Sequence, residues 1–439
     1  MLGMGRFGER RFRRGVVSVS VAALLAASAC AAQAAPTGWA LPGLDSYDEF
    51  MTALLQKWDV PGGSLVVARN DKLVLARGYG LADTRRHIRV EPTSLFRLAS
   101  LSKTITAVAV LTLVQERRLR LDDTVLPILG ELGPRPAKIT DTRVHDITVR
   151  QLLQHAGGFD RAHSGDVAFM PHAADAARRQ RGPLPPDCPT IMRDALERRL
   201  DFAPGTRFAY SNVGYCILGR VIERITHTPY ETYVRTRLLT PAGASRMKIG
   251  RTMEAAAGEV TYYDYDAKTV RAMPGLGLTR APQPYGAFAI ETMDSYGGWI
   301  GAPVDYLRFI LAIDGRRGAA LLDPATLAQM NTPSTLPEAA RADDDGAPDG
   351  NTLYGLGIRV RAVKNGITLW HTGSLPGTST IAVRTADGFA WVAAFNGRPK
   401  DKNAFRAELD RGLWRARNAV TSWPRGNLFD TAAPGSPAP

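Results

Sequence analysis

Ser100 and Lys103 are the residues whose types and spacing point most directly to chemistry. An apolar run at 104–111 follows them and predicts a helix. Residues three apart share a helix face, so the Ser100 hydroxyl and the Lys103 amine can meet. A desolvated lysine can take the proton of a serine alcohol, and backbone N–H groups at a helix N-terminus suit a developing oxyanion. Ser102 has no such partner, because Ile105 stands three residues after it.

Tyr210 and Asn212 form a second candidate pair, directly before an apolar periodic segment at 213–225. A tyrosine hydroxyl beside a lysine can relay protons and act as the general acid toward a leaving group. The asparagine amide can hold a substrate carbonyl or keep the lysine oriented. Both pairs also have a structural alternative, with Ser100 and Lys103 as exposed polar residues at a helix start and Asn212 as an N-cap. Their occurrence together favours the catalytic interpretation.

His371, Thr372 and Gly373 close a predicted strand, and Ser374 begins the turn after it. An edge strand at this position could pair with an extended substrate. The Ser374 N–H could complete an oxyanion hole with that of Ser100, and His371 and Thr372 could contact a substrate carboxylate. The structural alternative is an ordinary strand end with a surface histidine.

These side chains need a scaffold that brings three distant segments together. The sequence predicts a helix from Ser100 to about residue 117, between an early hairpin and a late group of strands. The predicted strands lie at 64–68, 72–76, 355–361, 367–371, 378–384 and 389–395. The other predicted helices lie at 47–58, 148–155, 190–199, 212–226, 230–239, 304–313 and 404–415. We expect the early and late strands to share one antiparallel sheet flanked by helices, with the helical middle inserted as a second lobe.

The predicted fold class is therefore α/β (α+β), with one catalytic domain at 45–418. Its sheet lobe would comprise 45–98 and 285–418, and its all-helical lobe 99–284. The candidate serine helix would then start at the seam between the lobes, a usual place for a ligand cleft. A disordered tail is predicted at 419–439.

The N-terminus predicts an export signal at 1–34. Five arginines precede an apolar stretch at 15–29, and a small-x-small cleavage site follows at 32–34. The apolar stretch is too short and too rich in alanine for a membrane span. A twin-arginine signal and a lipoprotein site at Cys30 remain open variants. We expect an exported protein, periplasmic or secreted, with no stable membrane span after the signal is removed.

The chain carries a net charge of +13, of which the predicted signal, with five arginines and one glutamate, contributes +4. The remaining arginines are scattered and are not gathered with aromatic residues. This pattern favours solvated surface and argues against nucleic-acid binding.

Removal of the signal leaves two cysteines, Cys188 and Cys216, in an oxidising compartment. A disulfide between them and a buried free thiol at each position remain alternatives. The sequence has no CxxC, HExxH or clustered His/Asp set. It therefore predicts neither a metal site nor a cofactor.

The three polar segments, taken in order, resemble those of the serine β-lactamase-related hydrolases, specifically the class C branch. That branch includes D,D-peptidases, D-amino-acid peptidases and β-lactamase-fold esterases. Segments at 96–100, 152–155 and 354–357 are also typical of the family, and the resemblance spans about residues 45–415. It implies a fold of the β-lactamase/D,D-peptidase type.

The resemblance also implies roles for the candidate residues. Ser100 would be the acylated nucleophile, Lys103 its base partner and Tyr210 the shared proton shuttle. Asn212 would bind the substrate amide. Residues 371–374 would line a third side of the site, next to the segments that carry Ser100 and Tyr210.

Histidine occupies position 371, where class C β-lactamases usually carry lysine. A His-Thr-Gly motif looks more like that of the peptidases in this family. A histidine is only partly charged near neutral pH. If a charged His371 holds a carboxylate, turnover should weaken above pH ~6.5. For His155 we expect a structural, helix-capping role, and the segment at 161–188 should overhang the cleft.

The leading interpretation is an exported hydrolase that forms an acyl-enzyme with an amide or ester next to a carboxylate. The expected substrate is a small molecule or peptide, either a D-amino-acid peptide or a β-lactam-like compound. One alternative is a carboxylesterase that uses the same residues, although the chain lacks the Gly-x-Ser-x-Gly elbow of the α/β-hydrolases. The other is a penicillin-recognising sensor or binding protein with little turnover. The sequence makes no prediction of oligomeric state.

Overall fold

The computed structural model describes residues 35–166, 169–337 and 352–430. The predicted export signal lies outside these residues, as does the end of the predicted tail. The strands, in chain order, are β1 (Thr37–Ala40), β2 (Gly62–Arg69), β3 (Lys72–Asp83), β4 (Ile88–Arg89), β5 (Phe96–Arg97), β6 (Lys248–Ile249), β7 (Tyr263–Asp264), β8 (Thr269–Arg271), β9 (Arg280–Pro282), β10 (Trp299–Gly301), β11 (Thr352–Tyr354), β12 (Arg359–Val363), β13 (Gly366–Leu375), β14 (Thr378–Arg384), β15 (Phe389–Phe395) and β16 (Gly397–Arg398).

The α-helices, in chain order, are α1 (Asp45–Trp58), α2 (Ser102–Gln115), α3 (Val125–Leu129), α4 (Val149–Leu153), α5 (Arg161–Ser164), α6 (His172–Gln180), α7 (Cys188–Glu197), α8 (Asn212–Thr226), α9 (Tyr230–Val234), α10 (Gln283–Gly286), α11 (Pro303–Ala312), α12 (Pro324–Asn331) and α13 (Lys402–Ala419). Short 3₁₀ or π segments lie at Ala99–Leu101, Gly130–Leu132, Pro136–Lys138, Thr142–Asp146, Arg235–Leu239 and Ile290–Met293.

One antiparallel sheet contains both the early hairpin and the late strands, as the sequence predicts. Its strand order is β1-β3-β2-β15-β14-β13-β12-β11, with β4 paired to β3. The two groups meet where β2 pairs with β15, from Gly63 opposite Phe395 to Arg69 opposite Phe389. The chain between β5 and β11 is therefore inserted between the two halves of the sheet. It is mostly helical but also carries the short strands β6 to β10, and the lobe bounds stay predictions.

Alternate residues of β2 face two different helical layers. Leu65 and Val67 belong to the buried cluster that includes residues of α1 and α13, whereas Val66 and Ala68 belong to the cluster that includes α2. Side chains alternate between the two faces of a strand, so both faces of this central strand are covered. This explains why the strand reads as a continuous apolar run.

Helix α2 passes through the protein interior. Every residue from 102 to 113 is buried, as expected for a helix that is apolar on all sides. The helix carries Lys103 into the core with it. Although α2 is apolar throughout, no helix in the described ranges combines the length and apolar character needed to cross a membrane.

The predicted strand at 355–361 is wrong for its first four residues. A turn separates β11 from β12, closed by the Gly355 N–H, which donates to the Ile358 carbonyl at 2.8 Å. Gly357 in this turn has a φ of +79°, and a Cβ there would collide with Ala107 of α2. The close approach to α2, which no local pattern shows, interrupts the strand.

The prediction of disorder from residue 419 onward is also wrong for 420–430. The Leu428 N–H donates to the Leu73 carbonyl at 2.8 Å, and the Asn427 side chain accepts from the Leu73 N–H at 3.1 Å. Leu428 and Phe429 are buried. Two adjacent apolar side chains fix this segment against the start of β3, despite its low overall hydropathy.

Candidate active site

Ser100 lies on the 3₁₀ turn Ala99–Leu101, which leads directly into α2. Ala99 has a φ of +49°, a conformation that costs energy for a residue with a side chain. The Thr380 hydroxyl holds the entry to this turn by donating to the Leu98 carbonyl at 3.1 Å. Ser100 therefore stands on a strained turn before the helix, whereas the sequence predicted the first helical turn itself.

Lys103 reaches Ser100 from within the core. Its Nζ atom lies 3.3 Å from the Ser100 Oγ atom, and the residue as a whole is 0% exposed. The amine also donates to the Asn212 Oδ1 atom at 2.7 Å and to the Tyr296 carbonyl at 2.8 Å. These contacts orient the amine toward the serine, as the three-residue spacing predicts.

Asn212 occupies the first position of α8, one residue after the N-cap. The Ser211 hydroxyl caps the helix by accepting from the Gly214 N–H at 3.4 Å. The Asn212 side chain is therefore not used for capping. It accepts from Lys103 and donates to the Asp166 Oδ2 atom at 2.7 Å.

Tyr210 is buried next to the lysine. The Lys103 Nζ atom lies 4.8 Å from the centroid of its ring, and the Arg161 guanidinium lies 4.6 Å from the same centroid. Two basic side chains therefore lie close to the ring of Tyr210.

Two other phenols, those of Tyr215 and Tyr296, also lie near Lys103. Burial raises the pKa of both well above the usual range. The Tyr215 hydroxyl is in addition committed to the Leu153 carbonyl, at 2.9 Å. Both phenols are therefore kept in the protonated form, and the proton-transfer role of Tyr210 stays a prediction from the sequence.

The end of β13 forms an open sheet edge beside Ser100. β12 pairs with β13 only as far as Trp370, and from there to Leu375 the strand pairs with β14. A Cβ at Gly373 would lie 2.5 Å from the Leu98 carbonyl oxygen and 3.0 Å from the Ala99 Cβ atom. The absence of a side chain at Gly373 therefore lets the strand approach the Ser100 turn.

His371 does not line the cavity that opens at Ser100, and its predicted contact with a substrate carboxylate stays a prediction. Its Nε2 atom lies 2.9 Å from the Tyr354 hydroxyl, and its Nδ1 atom lies 2.7 Å from the Thr372 carbonyl oxygen. The residue is 2% exposed. Residues on both faces of β13 are buried from 368 to 373. Thr372 is also buried, and neither it nor Gly373 lines the cavity.

A cavity of about 810 Å³ opens over Ser100. Asn212, Tyr296 and Ser374 line it as well. The segment that the sequence predicts to overhang the cleft contributes a further set of lining residues: Arg161, Ala162, Asp166, Phe169, Met170 and Pro171.

Among the residues that the structure describes, five cations line this cavity, against the single carboxylate of Asp166. They are Arg161, Arg271, Arg398, Lys402 and Arg406. The carboxylate of Asp264, next to the wall, pairs with the Arg398 guanidinium at 2.9 Å. Even with that pair, the lining is positive, and it suits an anionic group on a ligand. Sequence reasoning missed four of these cations. Only the four-residue spacing of Lys402 and Arg406, near the start of the last predicted helix, hinted at a shared face.

Cys188 and Cys216 are joined as a disulfide, with their Cα atoms 5.7 Å apart. The bridge connects the start of α7 to α8, the helix that carries Asn212. Among the described residues, no group of three or more histidine, cysteine, aspartate or glutamate side chains is placed to hold a metal ion.

Comparison with known proteins assigns the chain to a family. A sequence model described as Beta-lactamase matches residues 47–413. The chain belongs to the β-lactamase family. Among curated relatives it is similar to Protein flp of Staphylococcus aureus (strain N315), with 28% identity over 250 residues. That match covers 57% of this chain and 47% of the relative, so the chain spans about half the length of the curated relatives it matches.

Solved structures of β-lactamase-family type share the fold. A D-amino acid amidase from Ochrobactrum anthropi SV3 superposes with a TM-score of 0.65 at 20% identity, covering 86% of this chain and 99% of that one. A D-alanine carboxypeptidase AmpC from Burkholderia cenocepacia superposes with a TM-score of 0.63 at 20% identity, with the same coverage of 86% and 99%. At these identities the likeness shows the fold alone.

Proposed function

We propose that the protein is a serine hydrolase that forms an acyl-enzyme on Ser100 with an amide or ester substrate. The observation that carries this proposal is the 3.3 Å approach of the Lys103 amine to the Ser100 hydroxyl, at the floor of an open cavity. A buried amine beside a half-buried alcohol that lines a cavity is the arrangement that nucleophilic catalysis needs. Membership of the β-lactamase family supports the same reading.

Acylation begins when Lys103, in its neutral form, accepts the Ser100 proton. The serine oxygen bonds to the substrate carbonyl carbon, and the carbonyl oxygen becomes an oxyanion. The backbone N–H groups of Ser100 and Ser374 are the donors for that oxyanion.

Collapse of the tetrahedral intermediate breaks the bond to the leaving group. Tyr210 gives its proton to the departing atom and then receives the proton that Lys103 took from Ser100. Water then attacks the carbonyl carbon of the acyl-enzyme. The Lys103–Tyr210 pair takes one proton from the water, and a proton returned to the serine oxygen restores the Ser100 hydroxyl. Asn212 keeps the lysine amine oriented through both halves of the cycle.

The substrate that fits the cavity carries a carboxylate. Because His371 does not line the cavity, the cations on the cavity wall are the groups available to attract that charge. A D-amino-acid peptide or a β-lactam-like compound has such a carboxylate next to the reactive amide. Structural neighbours of this chain include a D-amino acid amidase and a D-alanine carboxypeptidase.

Export completes the proposal. The arginine-rich start and the apolar stretch of the sequence support a signal peptide. The disulfide between Cys188 and Cys216 supports an oxidising compartment.

Pre-steady-state kinetics test this proposal. The purified protein is mixed with a chromogenic cephalosporin, a D-amino-acid p-nitroanilide, a D-Ala-D-Ala peptide and a p-nitrophenyl ester. We expect a product burst equal to the protein concentration, then steady release, with higher kcat/KM for the carboxylate-bearing substrates than for the ester. A burst without release would indicate a penicillin-recognising sensor. Turnover of the ester alone would indicate a carboxylesterase, and no burst with any substrate would contradict the proposal.

A further inference from the structure

His155 lies directly behind Tyr210 and is 2% exposed. The two ring centroids are 4.2 Å apart, and the ring planes are inclined by 31°. The His155 carbonyl accepts from the Ala209 N–H at 2.8 Å, and its Nδ1 atom accepts from the Ser211 N–H at 3.1 Å. His155 thus bonds the N–H groups of the residues before and after Tyr210 and packs on the ring between them.

The conformation of His155 is itself held by the structure around it. The residue follows the end of α4 with a φ of +57°, a conformation that is uncommon for a residue with a side chain. Helix α4 is fixed at its start by a reciprocal capping box between Thr148 and Gln151. The helix-capping role expected from the sequence accounts for the backbone of His155. It does not account for the contacts of the imidazole.

The imidazole is neutral in this arrangement. A backbone N–H can only donate, so the Nδ1 atom that faces Ser211 carries no proton. Burial lowers the pKa of His155 well below its usual range, and positive charges add to this effect. Those charges belong to the groups that face it from the surrounding elements: Lys103, His371, Arg359 and Arg161. The remaining neighbours are the aromatic rings of Phe208, Tyr215 and Tyr354.

We propose that His155 is a positioning residue that fixes the Tyr210 phenol for proton transfer, through its ring face and its hydrogen bonds to the N–H groups of the residues before and after Tyr210. This inference rests on the proposed function, in which Tyr210 protonates the leaving group. Proton transfer by a positioned side chain contributes about 10²- to 10⁴-fold to rate. A displacement of about 1 Å in such a group can cost about 100-fold.

Leaving groups of different basicity separate positioning from a general structural role. An amide needs a proton on its departing nitrogen, whereas p-nitrophenolate leaves without one. Loss of Tyr210 positioning should therefore slow acylation by an amide much more than acylation by a p-nitrophenyl ester of the same acyl group. Damage to the fold as a whole would slow both equally.

Three variants of the full chain test the inference, each normalised to its own burst amplitude with the ester. His155→Ala removes the ring and the acceptor, His155→Phe keeps a ring, and His155→Asn keeps an acceptor near the Nδ1 position. In His155→Ala we expect the single-turnover acylation rate to fall at least ~10-fold for the amide and less than ~3-fold for the ester. KM should change little, and His155→Asn and His155→Phe should each recover part of the amide rate.

Tyr210→Phe is the reference variant. In this variant too, the rate for the amide must fall by a much larger factor than the rate for the ester. If it does not, the role of Tyr210 in the proposed function fails. If Tyr210→Phe shows this difference while the three His155 variants lower both rates by the same factor, the positioning role of His155 is overturned. Should His155→Ala fail to fold, His155→Asn and His155→Phe decide the outcome by the same comparison.

Discussion

The imidazole of His371 is hydrogen-bonded to the hydroxyl of Tyr354 across 2.9 Å, inside the protein and away from the cavity. Its second ring nitrogen contacts the carbonyl of the next residue at 2.7 Å. Both nitrogens are therefore used within the fold. We therefore expect that the charge state of this histidine does not decide carboxylate binding, which differs from the expectation drawn from the sequence.

Replacement of His371 by glutamine should affect stability and leave carboxylate selectivity unchanged. Loss of a buried hydrogen bond should lower the free energy of unfolding by about 1–3 kcal/mol. The ratio of kcat/KM between a carboxylate-bearing substrate and its methyl ester should stay within about twofold. Tyr354→Phe, which removes the same bond from the other side, is the matched control. If His371→Gln, but not Tyr354→Phe, lowered kcat/KM for the carboxylate substrate alone, His371 would be shown to contribute to carboxylate binding.

The cations of the cavity wall should attract the substrate. We expect Arg271→Gln combined with Lys402→Gln to raise KM for a carboxylate substrate by about 3- to 10-fold, because each surface charge contributes about 0.2–1 kcal/mol. The effect should shrink at high salt. Arg411→Gln combined with Arg415→Gln makes the same charge change at exposed positions of α13 outside the cavity lining. An equal rise in KM in this control would show that only net charge matters.

Gly373 should tolerate no side chain. In Gly373→Ala the new Cβ would meet the Leu98 carbonyl and push β13 away from the Ser100 turn. Overpacking of this kind costs about 1–3 kcal/mol in unfolding free energy, and the acylation rate should fall because the oxyanion donors separate. Gly214→Ala on α8 is the control, since its Cβ would meet only ordinary contacts at 3.5 Å or more. If Gly373→Ala were acylated as fast as the wild type, the inference that close packing of β13 on the Ser100 turn supports acylation would be contradicted.

The neutral state of His155 predicts a pH dependence of stability. Its pKa is lowered in the folded protein by burial and by Lys103, so below pH ~6.5 the unfolded chain binds a proton that the folded chain does not. Stability contributed by this residue is therefore present above that pH and is lost as the pH falls. Chemical denaturation between pH 7 and 5 should show a decline that is steeper than in His155→Asn by up to about 1.4 kcal/mol per pH unit. If the free energy of unfolding fell with pH equally in the wild type and in His155→Asn, protonation of His155 would carry no cost in stability.

Elements with strong local patterns could be predicted from the sequence. β14, β15 and α8 have the predicted bounds, because their apolar residues alternate or recur within a single continuous segment. Helix α6 was not predicted, since its nine residues are mainly alanine and arginine and its buried face consists of alanines alone.

The candidate site was predicted in part. The contact between Ser100 and Lys103 follows from spacing within one turn of chain. The burial of His371 does not, because residues on both faces of β13 are buried and alternation does not show which of them reach the cavity. The cationic wall depends on β8, β16 and α13 meeting in space, and no local pattern shows that meeting.

Intact-protein mass spectrometry tests the central claim most directly. The protein is exposed to penicillin, a D-Ala-D-Ala peptide thioester and a short p-nitrophenyl ester, alongside Ser100→Ala and Ser102→Ala. Ser102 is the matched control, because its hydroxyl is buried and accepts from the Trp299 N–H at 3.3 Å. We expect an acyl adduct in the wild type and in Ser102→Ala, mapped to Ser100, and none in Ser100→Ala. An adduct that persists in Ser100→Ala, or one that maps to another residue, would contradict the account.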